Sequence, residues 1–309
     1  MEKRSIEFKL GLNGLVKGFL WKSEPPYKGV VLICHGMAEH IKRYDHFASF
    51  LSSKGYIIFG YDQRGHGQSV ENIDKIGYMS DIDNFQILVN DVGEITRYIK
   101  ERFSDLPIYL FGHSMGSFVA QRYIEDFGTS INGVILSGSN LNKGLKLYFG
   151  ALIAKIVTIL RGRKHRSKLI HNLVFGRYND KYDDKRTDFD WLSRDHKIVD
   201  DYIKDEKCGT IFTAAFFKDF FKGLIRIYRY FELIPINLPI LIVSGDKDPV
   251  GEYGKGVIRL YNELKKSGAK NVEYKLYPEA RHELLNETNK EEVYSDILNW
   301  LDEQHNNMS

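Results

Sequence analysis

Four side chains in this sequence stand where a proton could pass from a hydroxyl to an imidazole. They are Ser114 in Gly112-His-Ser-Met-Gly116, Asp246 and Asp248 in Ser244-Gly-Asp-Lys-Asp-Pro-Val250, and His282 in Ala280-Arg-His-Glu283. A serine hydroxyl is a weak nucleophile until a histidine takes its proton. That histidine in turn needs a carboxylate to fix its tautomer and stabilise its cation. The chemistry is acyl transfer, with Ser114 as expected nucleophile and His282 as expected base. Asp248 is the expected acid, because Asp246 directly follows Gly245 and suits a role in capping or bracing the turn.

Each of these groups needs an element to hold it. Ile108 to Phe111 reads as a buried strand and Ser117 to Phe127 as a helix, so Ser114 falls on a strand–turn–helix bend. Glycines belong on both sides of such a bend, because side chains there would collide with neighbouring strand and helix. The acid and base are expected later in the chain, each in a loop after a strand. Ile240 to Val243 precedes the aspartates and Tyr274 to Tyr277 precedes His282, which meets that order. The negative charge of a tetrahedral intermediate also needs backbone N–H donors. Met115, next after the nucleophile, is one expected donor, and Met37, after the strand-like Val30 to Cys34 and the His35-Gly36 turn, is the other. His35 reads as a turn-bracing side chain. Tyr61 to Ser69, rich in polar groups, reads as a buried hydrogen-bonded loop that supports the site, and no metal is expected there.

The pattern between these motifs is an alternation. Val30–Cys34, Tyr56–Tyr61, Ile108–Phe111, Val134–Leu136, Ile240–Val243 and Val272–Leu276 are short apolar runs of the kind found in buried strands. Segments 44–53, 85–102, 115–127, 256–266 and 291–303 carry apolar residues at helical spacing. Strands alternating with helices predict a mostly parallel sheet covered on both faces, an α/β architecture. Asn13-Gly14 between two apolar-patterned runs predicts an N-terminal hairpin. From 140 to 235 the strand pattern stops and helical patterns take over, which predicts a helical insertion dividing the core into 1–139 and 236–309.

Composition narrows the function. The 309 residues hold 44 Lys and Arg against 41 Asp and Glu, a net charge of +3, too slight to point to nucleic acid. Two distant cysteines form neither a disulfide framework nor a metal motif, and no secretory leader pattern opens the chain. No transmembrane helix is expected, since the most apolar stretch, 147–160, is short and broken by Lys155. These features suit a cytoplasmic enzyme acting on a small molecule without a cofactor, as a monomer or homodimer.

Taken together, His35-Gly-Met-Ala-Glu-His40, Tyr61-Asp-Gln-Arg-Gly-His-Gly-Gln-Ser69, Gly112-His-Ser-Met-Gly116, Ser244 to Val250 and Ala280 to Glu287 resemble the monoacylglycerol lipase and lysophospholipase branch of the α/β-hydrolases. Members of this branch are often called serine-aminopeptidase-like hydrolases. The resemblance implies the same triad, Ser114, Asp248 and His282, the same oxyanion donors, Met37 and Met115, and a monoacylglycerol, lysophospholipid or similar acyl ester as substrate. Trp191 to Asp195 and Tyr202 to Cys208 resemble segments of that family's helical cap. The same triad also serves peptidases, thioesterases and acyltransferases, and a hydrolase fold can act as a slow or non-catalytic binding protein.

Two stretches of the insertion bear on substrate and surface. Tyr148, Phe149, Leu152, Ile153, Ile156, Val157, Ile159 and Leu160 put an apolar surface on a helix that runs into Arg161, Arg163, Lys164, Arg166 and Lys168. The expectation is a helix buried against the core, its basic end complementing its dipole, with peripheral membrane contact as the alternative. The aromatic stripe Phe212, Phe216, Phe217, Phe220 and Phe221 reads chiefly as packing. Leu152, Ile156, Phe216 and Phe217 are the expected lining of an acyl pocket.

Overall fold

The computed structural model describes every residue except 1, 13, 81, 142, 143, 184 and 309. Eight strands form one sheet: β1 (Glu2–Leu10), β2 (Gly14–Lys22), β3 (Gly29–Cys34), β4 (Tyr56–Tyr61), β5 (Ile108–His113), β6 (Gly133–Ser137), β7 (Ile240–Gly245) and β8 (Val272–Tyr277). Their spatial order is β1-β2-β4-β3-β5-β6-β7-β8. β1 and β2 form the expected antiparallel hairpin, Glu2 opposite Lys22, and β2 pairs antiparallel with β4. Asn13, half of the predicted turn signal, lies outside the described residues. From β4 to β8 every pairing is parallel. β3 to β6 are buried along their whole length, which explains why they read as unbroken apolar runs rather than alternating ones.

The helices are α1 (Asp45–Ser53), α2 (Asn84–Arg102), α3 (Met115–Phe127), α4 (Leu145–Arg161), α5 (Lys168–Phe175), α6 (His196–Lys204), α7 (Ala214–Ile227), α8 (Lys255–Lys266) and α9 (Lys290–Asn306). They bury two separate apolar clusters against the sheet. One gathers α2, α3, α7 and α8 residues such as Leu88, Val119, Phe217 and Leu260. The other gathers α1 and α9 residues such as Phe47, Leu51, Ile297 and Trp300. Two clusters on one sheet are what helices on both of its faces require.

The chain between β6 and β7 carries α4 to α7 and, among the described residues, none of the sheet strands. α7 is its buried member. Phe216 and Phe220 stack 5.7 Å apart, and Phe220 also meets Phe85 of α2 and Phe118 of α3. α4 corrects the expectation for its apolar surface. Only Leu147 and Ala154 of this helix are fully buried, while Tyr148, Phe149, Leu152, Ile156, Ile159 and Leu160 are exposed. The face that packs on α7 is the one with small residues, Gly150 lying against the Phe221 ring.

Candidate active site

The parallel strands deliver the expected residues to one place. β5 runs into α3 through Ser114, whose φ of 51° and ψ of −117° are strained for a residue with a side chain. The flanking glycines make this bend fit. A Cβ on Gly112 would sit 2.5 Å from the Gly116 carbonyl oxygen, and one on Gly116 would sit 2.1 Å from that of Cys34. Any larger residue at either position would drive α3 off the sheet.

His282 and Asp248 come from the loops after β8 and β7. The His282 Nδ1–H donates to the Asp248 carboxylate, 3.0 Å from each oxygen. That carboxylate also accepts from the Val250 N–H at 2.8 Å and the Ser244 hydroxyl at 3.1 Å, so its position and charge are held from three sides. Burial opposes the charged form of both groups, yet their mutual attraction wins. The Asp248 carboxyl is held below its ordinary value and the His282 imidazole above its own. His282 Nε2 is buried and has no hydrogen-bond partner among the described residues. It lies in the wall of the cavity that also contains Ser114. Asp246, the weaker choice for the acid, accepts from the Glu279 N–H at 2.7 Å and ties the two loops together, the bracing role expected of it.

The remaining expected groups surround this core. Met37 lines the cavity, while the N–H of Gly36 before it is taken by Glu39 at 2.6 Å. Met115 opens α3, where backbone N–H groups lack intrahelical partners. His35 braces its turn: Nδ1–H donates to the Gly36 carbonyl at 2.7 Å and Nε2 accepts from the Gln63 N–H at 2.9 Å. The 61–69 loop is the hydrogen-bonded support predicted for it, Asp62 accepting from the Ile41 and Gln68 N–H groups and Arg64 gripping Asp91 with two 2.7 Å bonds. His40, Asp205 and Cys208 bring possible metal donors within 4.8 Å of one another. Burial pushes the Cys208 thiol up despite nearby Arg43, and His40 is already bonded to Asp205 at 2.7 Å, so the trio reads as a bridge between core and insertion.

The cavity has a volume of about 640 Å³, the size of sites that take small organic ligands. Of the four pocket residues expected in the insertion, Phe217 lines it. Leu152 and Ile156 point to the exposed side of α4 instead, and Phe216 is buried between Phe212 and Phe220. Phe175, Trp191, Leu192 and Phe212 supply the apolar wall that Leu152 and Ile156 were expected to give, and Arg177, Asp180, Lys185 and Asp188 bring charged groups.

Sequence reading assigned no role to Trp191, yet it stands beside His282. The 190–194 segment clamps the His282 loop: the Trp191 carbonyl accepts from the His282 N–H at 3.3 Å, and Leu192 from the Glu283 N–H at 2.7 Å. Arg281 reaches the Asp190 carbonyl and Arg194 pairs with the buried Glu287, both at 2.8 Å. Beneath the site, Arg43 joins Glu39 at 3.0 Å and Glu283 at 2.5 and 2.6 Å, a second network the motifs did not reveal.

The model of the family described as "Serine aminopeptidase, S33" matches residues 25–289. The chain belongs to this family. Relatives include a monoacylglycerol lipase of Mycolicibacterium smegmatis, 27% identical over 287 residues and 91% of each chain. A monoglyceride lipase of Mus musculus is 26% identical over 280 residues, 87% of this chain and 84% of its own. A highly thermostable carboxyl esterase from Bacillus coagulans, solved in complex with glycerol, superposes with a TM-score of 0.90 at 25% identity, covering 99% of both chains. This S33 chain has the α/β-hydrolase fold and is a serine ester hydrolase similar to monoglyceride lipases. No helix among its described residues is long and apolar enough to cross a membrane.

Proposed function

We propose that the protein hydrolyses a monoacylglycerol, lysophospholipid or similar acyl ester through an acyl-enzyme on Ser114, without a cofactor. The observation that carries this reading is the buried, unpartnered Nε2 of His282, which shares a cavity with Ser114 while Asp248 holds Nδ1. In the first half-reaction His282 takes the Ser114 proton as the oxygen attacks the ester carbonyl, then gives it to the departing alcohol. Water repeats the sequence on the acyl-enzyme. The Met37 and Met115 N–H groups receive the oxyanion, and 140–235 forms the cap that roofs the acyl group. The mixed lining suits this class of substrate: phenyl rings to bury methylenes, each worth about 0.8 kcal/mol, and polar groups for a hydroxylated or charged head. Two buried free thiols suit a reducing, cytoplasmic setting.

The test is fluorophosphonate labelling of wild type and Ser114→Ala, beside turnover of p-nitrophenyl esters of rising chain length. Labelling of wild type alone, a chain-length optimum and a loss of at least about 10⁴-fold in kcat for the variant are expected. Retained turnover in Ser114→Ala would refute the assignment. Release of monoacylglycerol and lysophospholipid head groups then ranks the substrates.

A further inference from the structure

Between α5 and α6 the chain is tied across its own ends. Asn179 accepts from the Trp191 N–H and donates to the Thr187 carbonyl, both at 2.8 Å. Asp190 accepts from the Arg186 and Thr187 N–H groups at 2.5 and 2.6 Å. Bonds of this kind hold a connecting segment rigid, so a side chain that it sends against the core is presented in a fixed place.

Tyr182 is such a side chain. It is buried, and its O–H donates to the Lys247 carbonyl at 2.6 Å, in the peptide that carries the Asp248 N–H. The Arg281 guanidinium lies over its ring, 4.3 Å from the centroid. That guanidinium is buried as well and donates to the Asp190 carbonyl at 2.8 Å, back on the same segment. One tyrosine therefore touches the residue before Asp248 and the residue before His282. Beside it, Lys181 lies over the ring of Tyr253 at 3.7 Å, and the Tyr253 N–H donates to the Asp248 carbonyl at 2.8 Å.

Within the core the two loops meet through the Lys247 N–H on the Ala280 carbonyl at 3.0 Å and the Glu279 N–H on Asp246 at 2.7 Å. Tyr182 adds a tie from the insertion. The 3.0 Å from His282 Nδ1 to each Asp248 oxygen depends on where these loops sit, and a charge-assisted bond weakens steeply when its partners lose alignment. We infer that Tyr182 is a positioning residue for the reaction, holding the Asp248 and His282 loops at the separation their hydrogen bond needs. It does not line the cavity, so it acts without touching substrate. The inference rests on Asp248 and His282 as acid and base.

Steady-state kinetics of Tyr182→Phe, Asp248→Asn and the double variant on p-nitrophenyl butyrate test it, with urea midpoints measured alongside. Tyr182→Phe removes only the O–H and keeps the ring under Arg281, so the fold should hold. Its kcat should fall about tenfold, the scale of one hydrogen bond, with KM unchanged because acylation and deacylation use the same acid. In the Asp248→Asn background the same substitution should cost less than about twofold, since no carboxylate is left to position. An unchanged kcat in Tyr182→Phe overturns the inference. So does a tenfold loss that persists in the Asp248→Asn background, which would leave Tyr182 a packing residue alone. Wild-type kcat in Asp248→Asn itself would instead refute the acid assignment beneath the inference.

Discussion

Trp191 and His282 lie against each other with ring centroids 5.0 Å apart and planes inclined by 38°. The tryptophan belongs to the insertion and the histidine to the core, so the candidate base has part of its wall in a segment far away in sequence. His113, the residue before Ser114, also lies 4.6 Å from the His282 ring.

The stack predicts that Trp191 positions His282 without touching the proton it carries. Trp191→Ala should lower kcat on the order of 10²-fold, the scale of a misplacement by about 1 Å. Trp191→Phe should recover most of it. Steady-state kinetics on p-nitrophenyl butyrate decide the matter, with the urea midpoint measured alongside. An unchanged kcat in the alanine variant would make the tryptophan a packing residue only.

The pH profile follows from the His282–Asp248 pair. His282 acts as a base only when neutral, and its pKa stands above the ordinary 6.5 because Asp248 outweighs the effect of burial. Activity should therefore rise with pH through a midpoint above that value. In Asp248→Asn burial remains and the carboxylate is gone, so the midpoint should drop below it while kcat falls by about 10⁴-fold. A profile unmoved by this substitution would assign the acid elsewhere.

Arg43 holds two carboxylates that are themselves buried, Glu39 and Glu283. Burial resists the charge on Glu39, and Arg43 overcomes it, bringing the pKa down to about 2. Removing the guanidinium leaves two uncompensated buried charges. Arg43→Met should cost about 3–5 kcal/mol in urea unfolding, and Arg43→Met with Glu283→Gln should cost less than the single change. A double variant as unstable as the sum of both would show that the charges are not coupled.

Three buried histidines set an acid limit on stability. Burial, as the largest cause, lowers His35 to about 4 and His66 and His113 to about 3. Below about pH 6.5 the unfolded chain takes up protons that the folded chain refuses, until the pH reaches those depressed values. Stability should be fully present above that pH and fall through the window from 6.5 down to 4 or 3, each histidine contributing about 1.4 kcal/mol per pH unit. Urea midpoints at neutral pH and near pH 5 measure this, and equal midpoints would mean that the three histidines are protonated in the folded state.

The local geometry around Ser114 was legible from residue order alone. Gly112, Ser114 and Gly116 mark a tight strand-to-helix bend, because a side chain at Gly112 would clash with the start of α3 and one at Gly116 with the end of β3. The buried parallel strands were legible for a similar reason. Each is an uninterrupted apolar run with a turn signal beside it, and such runs have few alternatives in a soluble α/β core. Position in the loop favours Asp248 over Asp246 as the acid; Asp248 bonds His282 and Asp246 bonds the Glu279 N–H.

Tertiary structure alone decided what the insertion does. Helical periodicity marks 145–161 as a helix with apolar residues but not which of its faces meets a partner. Small residues let α4 approach α7, so the bulky side chains that looked like core were left outside and Leu152 and Ile156 were turned from the cavity. The Trp191–His282 stack and the Arg43 network join segments remote in sequence, and no local pattern encodes a contact of that kind. Close packing and the pairing of buried charge select such contacts only once the sheet has fixed where each loop ends.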